Sequence, residues 1–191
     1  MKELAITKIY DHHLIGYGGN QEWFRDDWAI KAGCASVLGS NIYAYYKGIE
    51  ECSKDEYLTI MEDLYTWMTP GRMGYPYFYK FTHKMLERLK EDDIYLKPRY
   101  LKKSNSIKKS IDFVKKCIDS HHLVGVLILS HLAKELEEDN WHWICISGYN
   151  EKEDDVDIIF SSYGIRRIVK ASVLFDVNAR NIVKLVSFEN L

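Results

Sequence analysis

The stretch HWICISGY at residues 142–149 has the length of a strand and no helical period. Its apolar residues instead alternate, with Ile144 and Ile146 on one face and Trp143 and Cys145 on the other. It is one of a series. LVGVLIL (123–129) precedes it, and VDIIF (156–160), RRIV (166–169) and NIVKLVSF (181–188) follow. Upstream the pattern changes. Ala35, Leu38, Ile42 and Tyr45 step by three and four, as one face of a helix does. A second helix opens on the capping box Ser53 and Glu56, carries the stripe Tyr57, Ile60, Met61, Leu64, Tyr65 and Met68, and stops at Pro70-Gly71. A third is expected from about Tyr77 to Glu91, with Phe78, Phe81, Met85 and Leu89 inward. A fourth is marked by Ile107, Ile111, Val114 and Ile118. Helices first and strands second specify an α+β fold rather than a βαβ winding. The expected architecture is an N-terminal helical half (about 1–121) packed on a C-terminal antiparallel β-sheet (about 122–191), with any cleft where the halves meet.

The chain-wide quantities narrow the function classes. There are 191 residues, no internal repeat and no linker-like stretch, so one domain spanning 1–191 is expected. The 26 basic and 28 acidic residues leave a net charge of −2, which argues against a general nucleic-acid binder. No run approaches the ~18 apolar residues of a membrane span, and the opening MKELAITKIYDHH lacks a signal-peptide core. A cytoplasmic protein without membrane or nucleic-acid partners is therefore expected. Cys34, Cys52, Cys117 and Cys145 form no CxxC pair, which disfavours a disulfide framework or zinc ribbon.

Cys34 stands out among the four. In DWAIKAGCASVLGSN it follows Gly33 at the first turn of a helix, where N–H groups and the helix dipole favour a thiolate. Small neighbours leave room for a carbonyl to approach. A cysteine here also packs well as a small hydrophobe, so position alone does not separate the two roles. His142 opens its strand and can reach a cleft while the strand holds its backbone. The polar run Asn150 to Asp155 reads as a hairpin turn. Centred between Glu151 and Lys152, it places Ser161 opposite His142; centred one residue later, it places Tyr163 there. A side chain at Ser161 would orient the imidazole, the third role in a nucleophile–base–orienter set.

These motifs resemble those of the papain-like cysteine peptidases, and within them the bacterial C39-like, bacteriocin-processing group. GC at the head of the central helix, H-x-Φ-x-Φ-x-G-Y on a strand and an S-W-G-like motif after a hairpin occur in the family's order. The resemblance implies a papain-like fold, Cys34 as nucleophile, His142 as general base and Ser161 as orienter, with Ser162, Tyr163 and Gly164 completing the last motif. Two positions depart from the family. Its orienting Asn or Asp is Ser161 here. The oxyanion-hole Gln, which precedes the cysteine closely in the family, has no counterpart at Asp27 or Trp28; Gln21, in GGNQEWF, is the candidate donor if Gly18-Gly19 fold that loop over the cleft.

The implied activity is hydrolysis of a peptide or other amide through an acyl-enzyme, with no cofactor and no metal. A catalytically weak papain-like module that binds peptides is the alternative, as is acyl transfer or deamidation by the same pair. Those last enzymes usually carry an Asp as third member, and Asp157 lies about 13 Å along the strand from Ser161 at ~3.3 Å per residue. The adjacent pairs His12-His13 and His121-His122 are poorly placed to share a metal. The acidic residues Glu135, Glu137, Glu138 and Asp139 either form a solvated loop or raise the pKa of His142 and attract basic substrates. Lys97 to Lys116 forms a basic face, solvated or meeting an acidic partner. Trp23, Phe24 and Trp28 either pack or line a substrate groove.

Overall fold

Each run read from apolar periodicity becomes an element of the computed structural model, which describes residues 1–102 and 106–191. The chain begins with β1 (Lys2–Glu3), β2 (Lys8–Asp11) and β3 (His13–Tyr17), then a 3-10 turn (Gln21–Trp23). Next come α1 (Asp27–Ala32), α2 (Cys34–Tyr46), β4 (Glu51–Ser53), α3 (Lys54–Trp67), α4 (Phe78–Lys90), β5 (Leu96–Leu101) and α5 (Ile107–Asp119). The remainder is β6 (Val124–Ser130), a 3-10 segment (Lys134–Asp139), β7 (His142–Glu151), β8 (Val156–Ser162), β9 (Ile165–Lys170), α6 (Ala171–Leu174) and β10 (Ile182–Asn190). The architecture is α+β, with helices against a mostly antiparallel sheet. No described helix is long and apolar enough to cross a membrane.

The main sheet runs β5-β10-β6-β7-β8-β9, and β1 pairs with the far end of β7. This corrects the division at residue 121, because β1 and β5 belong to the sheet. A second sheet, β3-β2-β4, also falls in the stretch expected to be helical. These strands carry little periodic signal. β1 and β4 are two and three residues long. β5 contains Pro98 and lies at the sheet's edge, where a missing N–H is tolerated.

β7 lies inside the sheet, and its residues from His142 to Tyr149 are buried on both faces. The alternation in HWICISGY therefore separates two covered faces, not core from solvent. α2 packs along this sheet with every residue from Cys34 to Ala44 buried. Its close approach needs Gly125 on β6, where a Cβ would lie 2.9 Å from the Leu38 side chain. α4 packs on the same strand through Phe81, which stacks on Trp143 with ring centroids 4.4 Å apart.

The β7–β8 register differs from the expected one. The hairpin pairs Glu151 with Val156, so its turn centres two residues later than the Glu151–Lys152 junction. Asp155 stabilises that turn: its carbonyl accepts from Lys152 N, and its Oδ1 accepts from Val156 N. A bulge between Ile146 and Gly148 then shifts the ladder again. Ser161 consequently faces Cys145, not His142.

Candidate functional site

The break between α1 and α2 places the cysteine. Gly33 interrupts the helical run, and a Cβ there would lie 2.5 Å from both the Ala29 carbonyl and the Phe24 ring. Cys34 thus heads α2 but is 8% exposed. Backbone N–H groups of Trp143, Ala35 and Cys34 itself stabilise its thiolate, yet burial outweighs them and pushes the thiol up to about 11. The expected preference for a thiolate at rest is not met, since desolvation exceeds what the helix terminus supplies.

His142 is 6% exposed at the mouth of β7. Burial, reinforced by the positive charge of Arg167, pulls its pKa down to about 3. The acidic run does not raise it. Glu135, Glu137 and Glu138 are exposed, whereas Asp139 is fully buried and engaged elsewhere, accepting from Ser162 Oγ and from Arg167 Nη1, each at 2.7 Å.

SSYG performs a different task from the expected one. Tyr163 and Gly164 both have positive φ (52° and 70°) and form the two-residue turn between β8 and β9. That turn stacks the Tyr163 ring on the His142 ring, with centroids 4.5 Å apart and an interplanar angle of 4°. Ser161 donates to the Tyr17 carbonyl at 2.5 Å, and no hydrogen bond from it to His142 exists among the described residues. The orienting contact on the imidazole is the stacked Tyr163.

The Gly18-Gly19 loop does fold inward. Gly18, at φ 75°, donates to the Thr7 carbonyl, and Gly19 N donates to Asn41 Oδ1 at 3.0 Å. Gln21 follows, 8% exposed, with Nε2 donating to the Ile30 carbonyl at 2.9 Å and one further N–H on that nitrogen to offer. Its Oε1 is buried without a hydrogen-bond partner among the described residues. Asn41 was not anticipated from sequence. It sits two helical turns beyond Cys34, on the same face, and the Tyr57 hydroxyl also donates to its Oδ1 at 2.5 Å. That seven-residue spacing in GCASVLGSN is the signal that would have found it.

Cys34, His142, Gln21 and Ser161 all line one pocket, together with Asn41 and Tyr163. Its free volume is about 10 Å³, room for roughly one water molecule. A larger cleft of about 270 Å³ adjoins it, sharing Cys34 and Trp143 as walls. Of the three aromatics considered, Trp28 lines this cleft; Phe24 is buried against Tyr65, and Trp23 packs over Gly16.

The other candidate groups lie apart. His12, His13 and His121 are exposed, and His122 is hydrogen-bonded to the Tyr46 hydroxyl. No group of three or more His, Cys, Asp or Glu side chains among the described residues is placed to hold a metal. All four cysteines are free thiols. In the basic stretch, Arg99 pairs with Glu189 and Lys115 with Glu151, while Lys103 lies outside the described residues.

Acid unfolding checks the burial of His142. Its folded pKa, about 3, lies below the ordinary 6.5, so between these values the unfolded chain binds more protons and stability falls as pH falls. His122 and His131, also lowered by burial, act in the same direction. In His142→Gln the slope of unfolding free energy against pH in this window is expected to flatten by up to about 1.4 kcal/mol per pH unit, one proton's worth. Urea titrations at half-unit steps measure it, and an unchanged slope would mean that this imidazole is solvated.

No known family model matches this chain, and no curated protein matches it.

Proposed function

We propose that the chain is a cysteine hydrolase of papain-like fold that cleaves an amide through an acyl-enzyme. The observation that carries this reading is the convergence of a cysteine at a helix N-terminus and a histidine at a strand mouth on one buried pocket. Their shifted pKa values support a neutral resting pair. His142 then takes the Cys34 proton as the sulfur attacks the carbonyl carbon, not beforehand. The negative oxygen is met by the Cys34 backbone N–H and the free N–H of Gln21. His142 returns the proton to the departing nitrogen as the C–N bond breaks, and water cleaves the thioester by the same route.

The test is alkylation of Cys34 by iodoacetamide between pH 5 and 9, located by peptide mapping. A histidine that is already neutral assists at every pH in this range, so the parent profile is expected to be nearly flat. In His142→Ala only the thiolate reacts, and the rate should rise tenfold per pH unit from a value at least about tenfold below the parent at pH 7. Coincident profiles would overturn the proposal. The second reading, a peptide-binding module without turnover, is favoured by the engagement of Ser161 with Tyr17. Coincident profiles together with equal peptide binding to the parent and Cys34→Ala would select it.

A further inference from the structure

The cleft beside Cys34 has a definite chemical character. One wall is the 70–76 loop, whose tip is a tight turn in which Gly71 and Gly74 exchange N–H···O bonds of 3.1 and 3.0 Å, with Gly74 at φ 71°. Three tryptophans hold this loop. Trp28 Nε1 donates to the Pro70 carbonyl at 3.4 Å, Trp141 Nε1 to Met73 at 2.8 Å and Trp143 Nε1 to Tyr75 at 2.8 Å. All three indoles line the cleft. With their N–H groups engaged on the loop, what they offer a ligand is ring surface. Trp28 and Trp141 keep 39% and 47% exposure, unusual for indoles that could pack inward.

Two cations complete the lining, Lys31 from α1 and Arg72 from the turn. Both are exposed, and neither forms an ion pair with any described residue. The cleft has no acidic lining residue. Tyr75, 3% exposed, also lines it with a hydroxyl that lacks a hydrogen-bond partner among the described residues. At about 270 Å³ the space suits a single ring-bearing substituent rather than an extended polymer.

We infer that this cleft receives the acyl half of the substrate and selects one that joins an aromatic ring to a carboxylate. The assignment of halves rests on the Cys34–His142 reading: the departing nitrogen must lie beside His142, which lines the small pocket but not the cleft. The ring lies between Trp28 and Trp141, and the carboxylate meets Lys31 and Arg72.

Calorimetric titration of Cys34→Ala with (4-carboxyphenyl)acetamide (the acid), whose acyl half carries both the ring and the carboxylate, and separately with its neutral 4-carbamoyl counterpart (the amide), tests the inference. The acid is expected to bind about tenfold more tightly than the amide, and Lys31→Gln/Arg72→Gln in the same background should bring the two within about twofold. (4-Carboxyphenyl)acetamide should also slow iodoacetamide labelling of Cys34 in the parent, which places it at this cleft. Equal binding of acid and amide, no heat from either, or a preference that survives loss of both cations would overturn it. The titrations need no nucleophile or proton transfer, so their failure is distinguishable from failure of the hydrolase reading, which the pH profiles report.

Discussion

Replacing Trp143 by alanine is expected to lower the unfolding free energy by about 3–5 kcal/mol, the range for deleting a large buried aromatic. Trp143 is 3% exposed, and its ring stacks on Phe81 at 4.4 Å and lies parallel to Phe78 at 6.2 Å. Neighbours on a helix and in a central strand cannot both collapse into the space left. The same residue walls the cleft beside Cys34 and holds the Tyr75 carbonyl, so the loss reaches the site. Trp143→Phe separates the two contributions: it keeps a ring against Phe81 while losing the N–H bond, whose net worth is about 1 kcal/mol. Urea unfolding of both variants gives the comparison. If Trp143→Ala cost less than about 1 kcal/mol, the packing between α4 and β7 described above would be wrong.

Asp139→Ala is expected to cost about 2–3 kcal/mol. Breaking a buried ion pair typically costs about 3–5 kcal/mol, and the partial exposure of the surviving partner reduces that figure. Asp139 is wholly inaccessible, whereas the Arg167 side chain keeps 28% exposure and can recover some hydration. The carboxylate joins three segments, since Arg167 also donates to the Glu135 carbonyl and Ser162 belongs to β8. Burial raises the Asp139 pKa despite these partners, so this carboxyl holds its proton more readily folded than unfolded and does not itself drive acid unfolding. Asp139→Asn keeps an acceptor for Ser162 but removes the charge, and should recover part of the loss. Its second consequence concerns His142. Arg167, no longer neutralised, lowers the His142 pKa further, which NMR titration of that imidazole would detect. Equal stability of Asp139→Ala and the parent would show that the pair is solvated.

Much of the fold was legible because its signals are local. A capping box uses residues three apart, and Ser53 with Glu56 opens α3 as read, both reciprocal bonds being present. α4 runs Phe78–Lys90 within the expected Tyr77 to Glu91, and the five C-terminal strands fall on their apolar runs. The small N-terminal sheet was not legible, because β2 pairs in parallel with β4 some forty residues later, through segments too short to show a period. The membership of one pocket was legible in part: Gln21, Cys34, His142 and Ser161 converge as their motifs implied. The contacts made by Ser161 and Tyr163 were not.

The physical reason lies in the range of each interaction. Helix starts, strand lengths, the Gly33 break and the placing of a cysteine at the head of the central helix follow from steric and hydrogen-bonding preferences within a few residues. Register, burial and protonation depend on distant parts of the chain. The β7–β8 pairing turns on the Asp155 hairpin and a bulge, the Ser161 hydroxyl is taken by a carbonyl 144 positions away, and Asp139 is buried by its pairing with Arg167. The chemistry of Cys34 follows the same division. Its position at a helix N-terminus is a local property, but its neutral thiol is imposed by the sheet and loops packed over it, since desolvation there exceeds the field of the helix that carries it.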